Sequence, residues 1–474
     1  WLKQSCPKRC CSRPTAQPMR SVGLVLCLAA PWHCSVGTDA CDHGSDGQCA
    51  DDAALLQASV PYGSCRGCRA GPSALRSRAA VQVLRNFSEA NGGLGLTLTL
   101  FDECGQQAFQ YTTGTHYCNL VSCANSSYSS GWTADTVHGL FSVSKMISSA
   151  VFMAAVVETG LASLDSSLRG LLPDVFGGES AYGSATPRQI LTHTSGFPGD
   201  DVIFDATDCF QTFPNPSNSR YSAVTNVTLE DCIWQLSRTA PVGPPGAQFA
   251  YSDSGYEVIA LLVKRLSGMT MDQAFRKYLG RPLRMRRSSY VCPIVGSTRS
   301  HPHPSNGFCT TANDFSKFTQ LMIRGGRKCS GGFALAPSSV ESILSDQTRN
   351  ANLYVSQFIN FFTSSSARTR CVTNTQPGNV STFGYGLGAA HSWGFRSKVW
   401  YHAGANGCMH WLDPGRYAAL ISTSFYFQSS VNMGVQLFDA FEAENYPGER
   451  LCPYPTIIVP GQLPAPPPNP VPWV

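Results

Sequence analysis

The sequence predicts a mixed α/β protein whose sheet is assembled from the two ends of the chain around a helical insert. Three observations predict it. Strand-like apolar segments lie near the start, at 94–113, and return near the end, at 400–423; helical segments closed by glycine lie between them; and 43 glycines and 31 prolines punctuate the junctions. A chain of 474 residues, at about 100–200 residues per domain, has room for a large core. Hydrophobic residues make up 43% and charged residues 14%, against about 25% charged in an average soluble domain, which excludes a solvated disordered chain and a charge-laced coiled coil. The formal charge of +5 is spread thinly, without a run of like charges, so no nucleic-acid partner is expected.

Taken in order, Ala74 to Ala90 carries apolar residues at helical spacing, and Leu94–Phe101 and Ala108–Thr113 flank a turn at Cys104 and Gly105. A helix followed by a hairpin is predicted. Met146 to Val157 is a dense apolar run stopped by Gly160, as expected of a buried helix. The middle mixes short helical pieces such as Thr228–Leu236 with long loops. Gly255–Leu266 and Asp272–Tyr278 read as helices ending at Gly268 and Gly280. Strands return at Trp400–His402, His410–Leu412 and Tyr417–Thr423. The domain plan is 1–37 as upstream residues and a signal peptide, 38–73 as a Cys-rich leader, 74–452 as one catalytic-size unit, and 453–474 as a proline-rich tail with nine prolines.

Twenty cysteines lack the paired Cys and His spacing of a structural zinc site, so disulfides are expected, and neither a metal nor a cofactor. Met19 and Arg20, the apolar stretch Val22–Ala30, and the small residues Ser35 and Gly37 read as a secretory signal. The mature chain would begin near Thr38 with fifteen cysteines, an odd number that leaves one thiol over. Cys118 with Cys123, Cys209 with Cys232, and Cys292 with Cys309 are the local pairings expected. Sequons at Asn86, Asn125, Asn226 and Asn379 agree with a secreted or lumenal protein, and no apolar stretch reaches the ~20 residues needed to span a membrane. No residue pattern fixes an oligomeric state.

Three segments could carry chemistry. Phe141-Ser142-Val143-Ser144-Lys145 is an S-x-x-K at the start of the buried helix. A serine there meets the unpaired N–H groups and partial positive charge of a helix start, and a lysine three residues on returns to the same face. Alone, this describes equally well a helix cap and a solvated lysine. Tyr251-Ser252-Asp253 stands just before a helix; a tyrosine near an ammonium can take a serine proton and return it, while Ser252 and Asp253 are also ordinary caps. His402-Ala403-Gly404-Ala405 ends an apolar strand, where glycine lets backbone approach a ligand and an edge N–H can bind an oxyanion. Leu191-Thr192-His193-Thr194-Ser195-Gly196 reads as a structural turn beside such a site.

The order S-x-x-K, L-T-H-T-S-G, Tyr-Ser-Asp, His-Ala-Gly resembles the serine β-lactamase-related family, which includes class C β-lactamases, D-alanyl-D-alanine carboxypeptidases, D-aminopeptidases and esterases. The likeness runs over about residues 74–445. It implies an antiparallel sheet flanked by helices, joined to a mostly helical domain, with the site in the cleft. It also implies Ser142 as the acylated nucleophile, Lys145 as its activator and Tyr251 as the proton shuttle. The backbone N–H groups of Ser142 and Ala405 match the oxyanion hole, and Asp253, His402 and Gly404 match substrate contacts. The partner would be a small-molecule or peptide acyl donor, its identity set by loops such as Phe204–Thr225 and Asn350–Pro377.

The chain departs from that pattern twice. Asp253 stands where β-lactamases and carboxypeptidases carry Asn, and His402 replaces Lys. A carboxylate facing Lys145 favours the ammonium and shifts the proton transfer to Tyr251. Three readings follow: a secreted serine hydrolase working through an acyl-enzyme on Ser142, a catalytically inactive binding or assembly protein of the same fold, and a cysteine-rich adhesion protein using its leader and tail. Asp253→Asn is expected to alter substrate preference more than folding; a panel of esters, amides and lactams with unchanged relative rates would contradict this.

Overall fold

The strand segments from the two ends of the chain pair with each other at the heart of one sheet. In the computed structural model, residues 75–115, 131–199, 228–292, 297, 302–348, 352–353, 383–392, 399–404, 407–423 and 430–445 are described. All belong to one unit, Ala53–Val474. The signal, leader and tail, Ala405, three of the four sequons, Cys118, Cys123, Cys209, the loop Phe204–Thr225 and the loop Asn350–Pro377 apart from residues 352–353 lie outside the described residues.

Helix α1 (Arg78–Ala90) precedes the hairpin of β1 (Leu96–Asp102) and β2 (Gln107–Thr113). The insert opens with β3 (His138–Gly139), a 3₁₀ turn over Phe141–Val143, and α2 (Ser144–Phe152), which continues as a π-helical turn through Val157. It goes on through α3 (Pro187–Leu191), α4 (Leu229–Leu236), β4 (Gln248–Phe249), α5 (Asp253–Ser267) and α6 (Met271–Phe275). Then come β5 (Cys309–Thr310), α7 (Ala312–Ile323), α8 (Pro337–Ile343) and β6 (Asn352–Leu353). The chain returns to the sheet with β7 (Phe383–Tyr385), β8 (Ala390–Ser392), β9 (Val399–Ala403), β10 (Met409–Asp413) and β11 (Tyr417–Thr423), and closes with α9 (Ser430–Asn445).

The seven-stranded sheet runs β2-β1-β11-β10-β9-β8-β7, antiparallel throughout, with Leu96 opposite Thr423 and Asp102 opposite Tyr417. Alternation along the strands divides the core. Leu96, Leu98 and Leu100 of β1 and Tyr417, Ala419 and Ile421 of β11 pack with α1 and α9, whereas Ala418 and Leu420 join the helical body on the other side. Both faces of the central strands are covered, so β1, β9, β10 and β11 are buried along their whole length, while β2 at the edge is only partly buried. α1 lacks a side-chain cap of its own; Glu444 of α9 accepts from the Ala79 amide at 2.9 Å and ties the two ends of the chain.

The predicted helices and strands agree with these elements to within a few residues, except that Gly280 does not stop its helix, which runs on through Leu283 to a left-handed Arg284. There are two further differences. The buried helix starts earlier than expected, at Ser144, and its last turn is π rather than α, as is the turn after α6. Gly160 and Gly268 do stop their helices, both at positive φ. Cys292 and Cys309 are joined by a disulfide, and Cys104, Cys232 and Cys329 are also disulfide-bonded. Among the described residues no helix is long and apolar enough to cross a membrane.

One contact ties the sheet to the insert. Gly388, between β7 and β8, has φ +79°, and a Cβ there would come within 2.6 Å of the Lys145 carbonyl oxygen and 2.8 Å of Ser149 Oγ. Gly388→Ala is expected to cost at least about 2 kcal/mol, from the left-handed backbone and the displaced helix together. Urea unfolding with an unchanged midpoint would show that α2 does not press on this turn.

Candidate active site

Ser142 is placed by a strained turn. β3 pairs with β5, and the Leu140 amide donates to the Phe308 carbonyl at 2.9 Å, fixing the chain up to the residue before the turn. Phe141 then adopts φ +51°, a conformation that a bulky residue holds only when its surroundings enforce it. The chain swings directly into the 3₁₀ turn that carries Ser142. Its amide is among the first of the helix, which have no intrahelical acceptor.

Lys145, one turn on, is fully buried. Its ammonium contacts the Asp253 carboxylate at the first residue of α5, donates to the Ser305 carbonyl at 3.2 Å and lies 4.5 Å above the Tyr251 ring centroid. Asp253 keeps 23% of its side chain exposed, so this end of the pair opens outward. The strap His303–Phe308 holds both partners: beside the Ser305 carbonyl, Asn306 Nδ2 reaches Asp253 Oδ2 at 3.5 Å. The strap is fastened by Ser148 Oγ donating to the Pro304 carbonyl at 2.6 Å and by the buried His303–Glu257 contact at 3.4 Å. Ser252 caps α5 by accepting from the Gly255 amide at 3.2 Å, so the predicted capping role and the site coexist in one motif.

Tyr251 sits between two histidines. The His193 ring lies 4.3 Å from it, centroid to centroid, and the His402 ring 6.3 Å away. The hydrogen bonds settle both tautomers. Ser252 N–H donates to His193 Nδ1 at 3.0 Å, so the proton of neutral His193 is on Nε2, which faces Tyr385 Oη at 3.3 Å. His402 Nδ1 faces the Ala403 carbonyl at 2.9 Å and must donate, so its Nε2 accepts from Tyr385 Oη at 3.1 Å. A one-way chain runs from His193 through Tyr385 to His402.

Neutrality of both rings has a physical cause. Burial, and then the Lys145 ammonium, push His402 down to about 3 and His193 well below its ordinary value. Burial likewise raises the Tyr256 and Tyr385 hydroxyls.

The structure thus gathers Lys145, Tyr251, Asp253 and His402 around one buried ammonium, with Ser142 on the same helical start. Gly404 N–H donates to the Cys408 carbonyl at 2.7 Å and Gly407 N–H to the Gly404 carbonyl at 2.8 Å, which turns the chain back on itself at the end of β9. The Cys408 thiol faces the Gly139 carbonyl at 3.7 Å, which brings this turn against the strand leading to Ser142. Tyr385, Ser305 and Asn306 were given no role from sequence. For Tyr385 the available signal is the glycine pair Gly386 and Gly388 that follows it; for the strap it is only Gly307 within it.

A third histidine, His410, is buried in the core and also pushed down to about 3. Above the ordinary histidine value of about 6.5, native and unfolded chains both leave these three rings neutral; below it the unfolded chain binds protons that the native state refuses. Stability should therefore be level with respect to these groups above pH 7. It should fall with decreasing pH, by up to about 1.4 kcal/mol per pH unit for each histidine, with the His402 and His410 contributions running until about pH 3 and His193 contributing in the same direction. Urea unfolding between pH 8 and 4 measures this, and constant stability from pH 7 to 4.5 would contradict it.

Comparison with known proteins agrees with the geometry. The chain is 25% identical over 266 residues to the 6-aminohexanoate-dimer hydrolase of Paenarthrobacter ureafaciens, covering 56% of this chain and 65% of that one. It is 27% identical over 159 residues to penicillin-binding protein 4 of Amycolatopsis lactamdurans, covering 33% and 36%. These matches span under two thirds of either relative. In fold it is similar to simvastatin synthase from Aspergillus terreus, with a TM-score of 0.55 at 16% identity, over 80% of this chain and 99% of that one. The family model for β-lactamase matches residues 105–437, more than half of the chain and all of the site described above. This protein belongs to the β-lactamase family.

Proposed function

We infer that the protein is a serine hydrolase that cleaves an ester, amide or lactam through an acyl-enzyme on Ser142. One observation carries this reading: the buried Lys145 ammonium, three residues from Ser142, lies 4.5 Å over the face of Tyr251. In the proposed reaction Ser142 Oγ adds to the acyl carbon while its proton passes to the Tyr251 oxygen. The ammonium favours the negative charge that Tyr251 needs to accept it. Tyr251 returns the proton to the departing alcohol or amine, and water, activated by the same route, releases the acid and regenerates Ser142.

The amides of Ser142 and Ala405 are the proposed oxyanion donors, each such donor being worth about 3–4 kcal/mol in a hydrolase transition state. Asp253, partly open, and Gly404 are the proposed substrate-facing positions, whereas the His402 ring is buried with both nitrogens engaged by the Ala403 carbonyl and Tyr385 Oη and stands behind them. Matches to a dimer hydrolase and a penicillin-binding protein support the reaction class. The Cys292–Cys309 disulfide supports a secreted or lumenal setting.

A second reading is favoured by the Lys145–Asp253 contact itself, since a lysine held by a carboxylate is a poor base. The protein would then be an inactive member of the fold that binds rather than turns over its ligand.

A p-nitrophenyl butyrate burst, followed by stopped flow with intact mass in parallel, separates the two. A burst of about one equivalent with a single butyryl adduct is expected in the natural protein and none in Ser142→Ala. Tyr251→Phe should slow acylation by about 10²–10⁴-fold. Turnover by Ser142→Ala would refute the nucleophile, and a folded natural protein without burst or adduct would establish the binding role.

A further inference from the structure

We propose that His193 is a positioning residue for Tyr251, gripping the chain on both sides of it and tying it through Tyr385 to the His402 end of β9. The backbone carbonyl of His193 accepts from the Ala250 amide at 2.8 Å, and its ring Nδ1 accepts from the Ser252 amide at 3.0 Å. One residue therefore holds the amides immediately before and after Tyr251. Its ring also covers the phenol at 4.3 Å.

This double grip requires an unusual backbone. His193 has φ +58°, one of three non-glycine residues at positive φ among the described residues. Strain of this kind persists where the surroundings enforce it, and it is found at sites that need fixed geometry. Here it lets carbonyl and ring of one residue reach the two amides that flank Tyr251 in the neighbouring segment.

The other ring nitrogen extends the grip. Nε2–H donates to Tyr385 Oη, Tyr385 donates to His402 Nε2, and His402 Nδ1–H donates to the Ala403 carbonyl, one residue before Gly404. The tyrosine proposed to move the proton and the strand end proposed to bind the oxyanion are thereby set relative to each other by one chain of neutral hydrogen bonds. All three side chains are buried. The chain supplies geometry, with no proton transferred along it.

This proposal rests on the acyl-enzyme reading, and the experiment separates the two. The natural protein, Tyr385→Phe, His193→Asn, the double variant and His193→Phe are compared by burst and steady-state kinetics with p-nitrophenyl butyrate, with folding checked by circular dichroism. Asparagine tolerates the left-handed backbone and keeps a side-chain oxygen near the Nδ1 position, so it retains the grip on Ser252 and loses the link to Tyr385. Tyr385→Phe and His193→Asn should each lower kcat about tenfold with KM within about twofold, and the double variant should be no worse than Tyr385→Phe. His193→Phe, which loses both grips of the ring, should fall about a hundredfold in kcat.

Wild-type kcat in Tyr385→Phe and His193→Asn, or losses that multiply in the double variant, would overturn the link. Recovery in His193→Asn no better than in a folded His193→Phe would overturn the grip on Ser252. If His193→Phe does not fold, the other three variants decide the proposal. Absence of a burst in the natural protein would remove the acyl-enzyme reading and this proposal with it, an outcome distinct from a burst that the variants leave unchanged.

Discussion

An ammonium that has left water must be given charge and hydrogen bonds inside the protein, and the site is arranged around how this is done for Lys145. Removing one partner of such a buried pair leaves an uncompensated charge, at about 3–5 kcal/mol when fully enclosed, and less where one side stays open as Asp253 does. The groups that satisfy Lys145 come from two separate places in the chain: Tyr251 and Asp253 at the start of α5, and Ser305 in the strap before β5. Satisfying one cation therefore brings together the elements that a serine nucleophile needs around it. This is a constraint of specificity more than of stability, because a well-packed apolar group at Lys145 could serve the core as well.

The same cation sets the chemistry of its neighbours. In burial alone a histidine already prefers to be neutral, and a positive charge nearby strengthens that preference, so His193 and His402 are fixed as one-donor, one-acceptor groups. Only neutral rings can pass a directional hydrogen bond through Tyr385, since a charged His193 would present a donor to the Ser252 amide, a charged His402 would present a donor where it now accepts from Tyr385, and both would repel Lys145. His402 is thus a ring whose polarity is set by its neighbours rather than by solvent pH.

Much of this was legible in the sequence because it obeys periodic rules. β1, β2, β9, β10 and β11 follow from apolar patterning and turns, and α5 from its apolar run and Gly268. The S-x-x-K and Tyr-Ser-Asp segments stand at helix starts, so their side chains were placed as soon as the helices were. What stayed hidden depends on contacts between distant segments. α9 contains Gly434, which reads as a breaker; in the fold a Cβ there would overlap the Met409 side chain, so the glycine permits the helix to lie on the sheet. Tyr385 reads as packing until His193 and His402, 192 and 17 residues away, are seen to meet its hydroxyl. His193 reads as a turn residue, which it is, but the turn's purpose appears only when Ala250 and Ser252 are found against it.

Two of the three non-glycine residues at positive φ among the described residues explain how a mostly apolar scaffold holds polar groups in fixed places. Phe141 and His193 both sit in left-handed backbone, one directly before Ser142 and the other against Tyr251. Each such residue costs about 1–3 kcal/mol, so neither conformation would survive without packing that over-determines it. Phe141 is enclosed in the core, and His193 is packed among Phe249, Tyr251, Tyr256 and Tyr385. Apolar burial at these two points is thus converted into the placement of a serine and a tyrosine. The Lys145–Asp253 contact sets which way they face, and the covered sheet behind them keeps that arrangement from relaxing.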